Sequence, residues 1–208
     1  MSKRADNIDR WVADLATLPE DERTFNPYRR KHLRGNMELY LEYLAEHSCG
    51  VLVVGEAAGY MGCRHSGIPF TSAPQIRGGV HAIFREVGPQ MELKEEVSER
   101  SAQIVWGLIA DFPRLPVLWN AFPCHPHKPE NPTSNRGPTR AEVAAGAVFL
   151  TRLVDLLQPH TLIGLGRHAE RLAGECFPDR QITYVRHPSM GGKPEFIAGL
   201  TPILTAAQ

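Results

Sequence analysis

The amino-acid sequence predicts an α/β fold, a three-layer α/β/α sandwich with a central four-stranded parallel sheet. Short apolar runs rich in β-branched residues alternate with longer segments whose apolar residues have helical spacing. No repeat, low-complexity tract or long linker interrupts this alternation, and 42% of the 208 residues are hydrophobic, which is enough for a full core. We therefore expect residues 1–208 to form a single domain, of which residues 1–48 are an N-terminal helical cover.

Four short apolar runs are predicted as the strands. Residues 51–54 form a β-branched run between Gly50 and Gly55, as expected for a central parallel strand that is buried on both faces. The other three predicted strands are residues 116–122 (PVLWNAF), 161–165 (TLIGL) and 181–185 (QITYV).

Helices are predicted between these strands. Thr139 is expected to begin one that runs to about residue 157, since Glu142 stands at the capping-box position three residues later. The other predicted helices span residues 8–18, 28–46, 75–88 and 95–111, and one more begins at Gly166. Helical connections of this kind join parallel strands.

Charge and cysteine content exclude several classes of protein. Lys and Arg together number 23, as do Asp and Glu, so no global field attracts nucleic acid or an acidic membrane. Apolar runs fall far short of the roughly 20 residues that cross a bilayer, so we expect a cytoplasmic protein without a membrane partner. We also expect a monomer. The four cysteines are widely spaced with no CxxC, which indicates reduced thiols.

Polar side chains follow three of the predicted strands. Glu56 comes after the first strand, Asn120 lies near the end of the second, and His187 follows the fourth. In open α/β sheets, ligands bind beyond the carboxyl ends of the strands, so these side chains should converge at one edge. Together they suit a small planar polar ligand that stacks on Phe70.

Five segments resemble the uracil-DNA glycosylase superfamily in order and spacing. They are GEAAG at 55–59, SGIPFTS at 66–72, NAFPCHP at 120–126, NRGPT at 135–139 and HPS at 187–189. The resemblance implies a DNA repair enzyme that flips uracil out of DNA and hydrolyses its N-glycosidic bond, leaving an abasic site. The implied partner is DNA that contains uracil.

The resemblance also assigns the residues that hold the base. Phe70 would stack on the flipped base, and Asn120 would discriminate uracil. A side-chain amide offers one donor and one acceptor, which match O4 and N3–H of uracil, whereas cytosine reverses both. The backbone of the first motif, at Gly55, Ala57 and Gly59, would approach the base closely.

Two further residues are implied to act on the bond. His187 would hydrogen-bond the base oxygen on which negative charge grows as the bond breaks. Glu56 would position or deprotonate the attacking water and favour the cationic sugar. Both are therefore candidate catalytic residues.

DNA contacts are expected to be local, in loops at the same sheet edge. Met190, directly after the HPS motif, is the candidate wedge that fills the gap left by the flipped nucleotide. The candidate phosphate-binding or DNA-facing residues are Arg64, His65, Arg136, Arg186 and Ser189.

The first motif departs from its relatives at three positions. Ala58 replaces a proline, so the loop loses a rigid residue. Ala57 stands where classical members carry the water-activating aspartate. Gly59 replaces the tyrosine that excludes thymine, which leaves base selectivity open.

Relatives with a GEAPG motif also carry an iron–sulfur cluster held by four cysteines. Here Cys124 stands where one ligand would be, but Gly146 occupies the companion position, and the upstream segment offers only Cys49. We therefore expect no iron–sulfur cluster, no metal site and no other cofactor.

Two other functions are compatible with the sequence. Residues 164–169 (GLGRHA) fit the G-x-G-x-x-A turn of a dinucleotide-binding oxidoreductase, which would need NADPH binding in a crevice beside Gly166. A non-catalytic or product-holding DNA binder on the same fold would keep Phe70 and Asn120 but tolerate loss of Glu56.

Overall fold

The computed structural model describes residues 3–208, without the side chain of Lys3, and its central sheet confirms the predicted class. Residues 1 and 2 of the predicted domain lie outside the described residues. The strands are β1 (Thr24–Phe25), β2 (Ser48–Ala57), β3 (Leu115–Phe122), β4 (His125–Pro126), β5 (Thr161–Leu165) and β6 (Ile182–Val185). The central sheet is parallel with strand order β3-β2-β5-β6, and β1 pairs with β4 in a small antiparallel sheet that was not predicted.

Helices connect the strands and flank the sheet. They are α1 (Lys3–Leu15), α2 (Lys31–His47), α3 (Cys63–Ser66), α4 (Ala73–Arg77), α5 (Ala82–Glu86), α6 (Arg100–Ile109), α7 (Arg140–Leu157), α8 (Arg167–Cys176) and α9 (Lys193–Ala206). Short 3-10 turns lie at Pro27–Arg29 and Gly88–Gln90. Among residues 3–208, no helix combines the length and apolar character needed to span a membrane.

Strands β2, β3 and β5 are buried along most of their length, as their apolar residues predict, whereas β6 at the edge of the sheet is half-buried. Every residue of β3 is buried, α7 packs on β3, and α8 packs on β5. Helix α1 joins the same core, because the rings of Trp11 and Trp119 lie 4.9 Å apart and Trp11 Nε1 donates to the carbonyl oxygen of Phe149 at 3.3 Å. Helix α1 therefore packs into the same hydrophobic core as the sheet.

The helix predicted over residues 75–88 is wrong, because two short helices replace it. Gly78 and Gly79 separate α4 from α5, and Gly79 has a φ of +55°, which a continuous helix does not allow. His81 then begins α5, since its side chain accepts a hydrogen bond from the backbone N–H of Ile83. The backbone conformation at Gly79 therefore ends the helix, although the spacing of apolar residues in this segment favours a continuous one.

The helix predicted over residues 95–111 starts later, at Arg100. The N–H of Glu99 is donated to Ser72 Oγ at 3.1 Å, and Glu99 itself has extended backbone. Residues 92–98 therefore run as an irregular segment that leads to the base of α6. The helices α3 and α9 were not predicted.

Candidate active site

A cleft of about 600 Å³ lies beyond the carboxyl ends of β2, β5 and β6. This is the place where ligands bind in open parallel sheets. The cleft brings together residues from four of the five sequence motifs. The predicted site residues that line it are Glu56, Ala57, Gly59, Phe70, Arg136, Arg186, His187 and Ser189.

Gly55 is the point at which two predicted base-binding residues meet. It pairs with Asn120 in the register of β2 and β3. A Cβ atom on residue 55 would lie 2.6 Å from Asn120 Oδ1 and would collide with the ring of Phe70. Only glycine fits here, and Phe70 adopts a φ of +52°, a costly conformation for an aromatic residue. The backbone is therefore built to hold the Phe70 ring beside Asn120.

The amide of Asn120 lies next to Gly55 and the ring of Phe70, and Asn120 does not itself line the cleft. Its side chain is buried, with 2% of the residue exposed, and Oδ1 has no hydrogen-bond partner within residues 3–208. A buried, unpaired polar atom costs about 1–3 kcal/mol, so such atoms usually have a role outside the folded chain's own contacts. The Oδ1 atom is therefore the strongest indication of a ligand with a hydrogen-bond donor.

His187 completes this group, since its ring centroid lies 6.1 Å from that of Phe70. The backbone N–H of Ser189 donates to His187 Nδ1 at 3.2 Å, and the Ser189 hydroxyl lies 2.7 Å from the same atom. Nδ1 is thus an acceptor, and we assign the ring proton to Nε2. Burial and the nearby Arg186 lower the pKa of His187. The ring is therefore neutral, with Nε2–H left for a ligand.

Glu56 lies at the more exposed side of the cleft. Its Oε1 atom lies 3.1 Å from His168 Nδ1, and the two side chains are 38% and 72% exposed. A Cβ atom on Gly137 would lie 3.5 Å from the same oxygen, so the NRGPT segment approaches Glu56 closely. The sequence reasoning did not identify His168 as a partner, because 112 residues separate it from Glu56.

Arg136 has contacts within the protein that the sequence did not predict. Its guanidinium donates to both carboxylate oxygens of Glu142, and its Nε donates to the carbonyl oxygen of His127. The Nη atoms also reach two further carbonyl groups and Thr24 Oγ1. Burial raises the pKa of Glu142, but bonds from Arg136 and Thr139 outweigh it and lower that pKa to about 2. The Arg136 donors are thus already engaged.

Arg64 and His65 also have protein contacts. Arg64 Nη1 lies 2.8 Å from His125 Nδ1, and its guanidinium lies 3.9 Å from the ring centroid of Phe25. Burial and the neighbouring Arg64 lower the pKa of His65. His65 is therefore a neutral hydrogen-bonding group near pH 7, and its predicted phosphate contact stays a prediction.

The segment after β6 forms the rim of the cleft. Arg186 Nη1 donates to the carbonyl oxygen of His187 at 3.2 Å. Met190 is 92% exposed and has a φ of +53°, and Gly191 follows with a φ of +79°. Two successive left-handed residues make a tight turn that presents the Met190 side chain to solvent. The rim therefore carries an exposed apolar side chain three residues beyond His187.

The sequence analysis also did not predict several other polar residues of the cleft, among them Glu99 and Asn135. Asn135 stands in the NRGPT motif, and its Oδ1 accepts the backbone N–H of Tyr60 at 3.1 Å, which ties this loop to the first motif. Glu99 lies in the irregular segment before α6 and gave no motif signal. Burial raises the pKa of Glu99, whereas a hydrogen bond with Ser101 lowers it.

The cysteines do not fit an iron–sulfur cluster. Cys49 lies near the start of β2, and Cys124 follows the far end of the parallel strand β3, about 20 Å along the strand direction. Burial raises the pKa of both thiols, which disfavours the thiolate form that metals bind. Within residues 3–208, no group of three or more His, Cys, Asp or Glu side chains is placed to hold a metal ion.

The glycine turn at residues 164–166 faces the same cleft. Gly166 has a φ of +90° and lines the cleft, and Gly164 packs directly against the backbone of Glu170 in α8. The crevice beside Gly166 that a dinucleotide would need is thus the cleft that already holds Phe70 and His187. The turn brings α8, and with it His168, to the site.

Comparison with known proteins agrees with the motifs. A sequence model of the Uracil DNA glycosylase superfamily matches residues 41–193. The crystal structure of wild-type SMUG2 from Pedobacter heparinus has a similar fold, with a TM-score of 0.73 and 14% identity over 99% of this chain and 98% of that chain. A search of curated proteins gave no match. The family that the motifs predict is therefore confirmed, and the chain belongs to the uracil DNA glycosylase superfamily.

Proposed function

We propose that this protein removes uracil from DNA by hydrolysing its N-glycosidic bond, as the first step of base excision repair. Membership of the superfamily supports a DNA glycosylase and DNA as its partner. The observation that carries the choice of uracil is Asn120 Oδ1, a buried acceptor without a partner in residues 3–208, beside the ring of Phe70.

Base recognition follows from these two residues. A flipped uracil stacks on Phe70 with its Watson–Crick edge toward Asn120. Asn120 Oδ1 accepts the N3–H of uracil, and Nδ2 donates to O4. Cytosine presents an acceptor at N3 and donors at N4, so both contacts fail and buried polar groups stay unpaired.

Bond cleavage uses the neutral imidazole of His187. The bond between C1′ and N1 breaks, and its electron pair goes to the base, whose O2 becomes more negative. The Nε2–H of His187 donates to this oxygen, and Ser189 holds the ring in the required tautomer. The sugar gains oxocarbenium character and is open to attack by water.

Water attack is assigned to Glu56. Its carboxylate accepts a proton as the water oxygen bonds to C1′, which completes the hydrolysis. His168 donates to Glu56 Oε1 and thereby fixes one carboxylate oxygen. The other oxygen is left for the water.

DNA binding is assigned to the rim of the cleft. Met190 would enter the stack as the wedge, and Arg186 and Ser189 stand beside it to meet the backbone. Arg64 and Arg136 receive a different role from the one the sequence predicts, because their guanidinium groups bind other parts of the protein. We propose that both hold the loops in place, and that the enzyme is a cytoplasmic monomer.

The test is release of uracil from an oligonucleotide by the wild type, Asn120→Ala and the matched control Asn7→Ala, an exposed asparagine outside the cleft. We expect the wild type and the control to release uracil but not cytosine, and Asn120→Ala to be slower by about 100-fold or more. A wild type that binds the DNA without releasing uracil would instead support the non-catalytic alternative. Full activity of Asn120→Ala would contradict the site assignment.

A further inference from the structure

A buried histidine outside the cleft connects segments that are distant in the sequence. His125 lies in β4, is fully buried, and pairs with Phe25 in the register of β1 and β4. It does not line the cleft and has no part in the proposed mechanism. Its two ring nitrogens nevertheless contact Arg64 on one side and residues 134–135 on the other.

The partners of His125 fix its tautomer. Nε2 lies 2.9 Å from the carbonyl oxygen of Ser134, which can only accept, so the ring proton is on Nε2. Nδ1 lies 2.8 Å from Nη1 of Arg64, which can only donate, so Nδ1 is the acceptor. Burial, together with the charges of Arg64 and other neighbours, lowers the pKa of His125 to about 4. The ring therefore keeps this neutral form near pH 7.

Arg64, the donor to Nδ1, is itself held in place. Its guanidinium lies 3.9 Å from the ring centroid of Phe25, and the guanidinium of Arg30 lies 4.1 Å from the same centroid. Stacking of this kind is favourable between a cation and an aromatic ring. Because Phe25 is also the strand partner of His125, the imidazole is fixed from this side.

On its other side, the ring reaches the first motif through Asn135. Nε2–H of His125 donates to Asn135 Oδ1 at 3.1 Å, and the backbone N–H of Tyr60 donates to the same oxygen at 3.1 Å. One acceptor thus joins the NRGPT segment to the loop that follows Glu56. The same segment passes Glu56 at Gly137, where a Cβ atom would lie 3.5 Å from Oε1. The position of the carboxylate therefore depends on two loops that His125 holds together.

We propose that His125 is a positioning residue, which joins the loop after Glu56 to the NRGPT segment and thereby fixes the carboxylate for the attack by water. This inference rests on the proposed function and deepens it. Displacement of a reacting group by about 1 Å can slow an enzyme by about 100-fold. His187 lies in the segment after β6, outside these hydrogen bonds, so stabilisation of the leaving base should not depend on His125.

The experiment compares two substitutions that remove the same ring. His125→Asn places an amide near the position of Nδ1 and leaves residues 134–135 without a donor, whereas the longer side chain of His125→Gln carries a donor to the position of Nε2. We expect single-turnover release of uracil to slow by about tenfold in His125→Asn and by less than about threefold in His125→Gln. An equal loss in both would indicate packing of the ring and would overturn the proposal.

The matched control is His127→Asn. This histidine is also buried and lies two residues further along, but its Nδ1 lies 3.0 Å from the carbonyl oxygen of Lys128. Release by this variant should stay within about threefold of the wild type, because the contact to Asn135 is kept. A tenfold loss here as well would mean that any substitution of a buried histidine in this segment slows the enzyme, which contradicts a specific role of His125.

Double variants show whether His125 acts through Glu56. In a Glu56→Gln background, His125→Asn should slow release by less than about twofold, because the carboxylate that it positions is already absent. In a His187→Ala background, the same substitution should again slow release by about tenfold. Any other pattern, such as a tenfold loss in both backgrounds, indicates a general effect on the fold and overturns the proposal.

Amide hydrogen exchange tests the same contact without activity. Exchange at the N–H of Tyr60 should be faster in His125→Asn and Asn135→Ala and unchanged in His125→Gln. Asn135 is exposed, so Asn135→Ala leaves the core intact and provides both tests if His125→Asn does not fold. Unchanged exchange in both variants overturns the inference and leaves the proposed function standing. If the wild type releases no uracil, the proposed function fails, and the role of His125 in water attack fails with it.

Discussion

The inner wall of the cleft, formed by Phe70 and His187 with Asn120 buried beside Phe70, differs from its mouth, formed by Glu56 and His168. On the inner wall, Asn120 Oδ1 and His187 Nε2–H have no partner within residues 3–208; Asn120 is buried, and His187 is half-buried. At the mouth, Glu56 and His168 bind each other and are both open to solvent.

This difference in exposure indicates how much each region should contribute to catalysis. Water can replace a side chain that is already exposed, and an exposed ion pair contributes about 0–1 kcal/mol. Water does not reproduce a fixed donor that is aimed at developing charge, and removal of one such donor slows other enzymes by about 100-fold to 1,000-fold. The inner wall should therefore dominate catalysis, and substitutions at the mouth should have smaller effects.

The largest effect is expected for His187→Ala. This change removes the only proposed donor to O2 of the leaving base, so we expect single-turnover release of uracil to slow by about 100-fold to 1,000-fold. His47→Ala, at an exposed histidine on α2, is the matched control and should match the wild type. If His187→Ala slowed uracil release by less than about tenfold, the inner wall would not contribute more to catalysis than the mouth.

The pH dependence tests the same donor without a mutation. Nδ1 of His187 accepts the N–H of Ser189, so the ring must be neutral to keep this geometry. Burial and Arg186 lower the pKa of His187 below its usual value of about 6.5, so the ring stays neutral as the pH falls to 6.5. We expect release to be level from pH 8 to 6.5 and to fall by about tenfold per pH unit below the lowered pKa. A decline that begins above pH 7 would contradict the neutral form.

An intermediate effect is expected for Glu56→Gln. The amide cannot accept the proton of the water, but the inner wall still stabilises the leaving base, so release should slow by about 10-fold to 100-fold. His168→Ala should slow it by less than about tenfold, because the pair it breaks is exposed. Single-turnover rates measure both. If Glu56→Gln and His187→Ala slowed uracil release equally, the mouth would contribute as much to catalysis as the inner wall.

Elements with strong local patterns were predictable from the sequence. The strand at residues 161–165 has the predicted bounds, and the capping box of Thr139 and Glu142 begins α7 as expected. The convergence of Glu56 and His187 in one cleft was also predictable, because a parallel sheet brings the carboxyl ends of its strands to one edge. Gly79 shows the limit of this approach, since its positive φ breaks a helix that apolar spacing predicts.

Contacts between distant segments were not predictable. Glu142 has a second role, because both of its carboxylate oxygens also accept hydrogen bonds from Arg136. The pairing of Glu56 with His168 depends on how closely α8 approaches β2. Glu99 belongs to a segment that has neither a sequence motif nor a regular spacing of apolar residues. Its place in the cleft depends on its packing against Gly59.

The smallest effect is expected for Met190→Ala, which lies beyond the mouth and touches neither the base nor the water. Its side chain is 92% exposed at the tip of the turn after His187, so truncation should leave the fold and the cleft unchanged. A wedge is needed only where a base leaves an intact stack, so we expect release from duplex DNA to slow by about threefold to tenfold and release from single strands to stay the same. The measurement is the ratio of single-turnover rates on the two substrates, with Met190→Leu as the variant that keeps an apolar wedge. An equal loss on both substrates would show that Met190 supports the His187 turn and does not enter the stack.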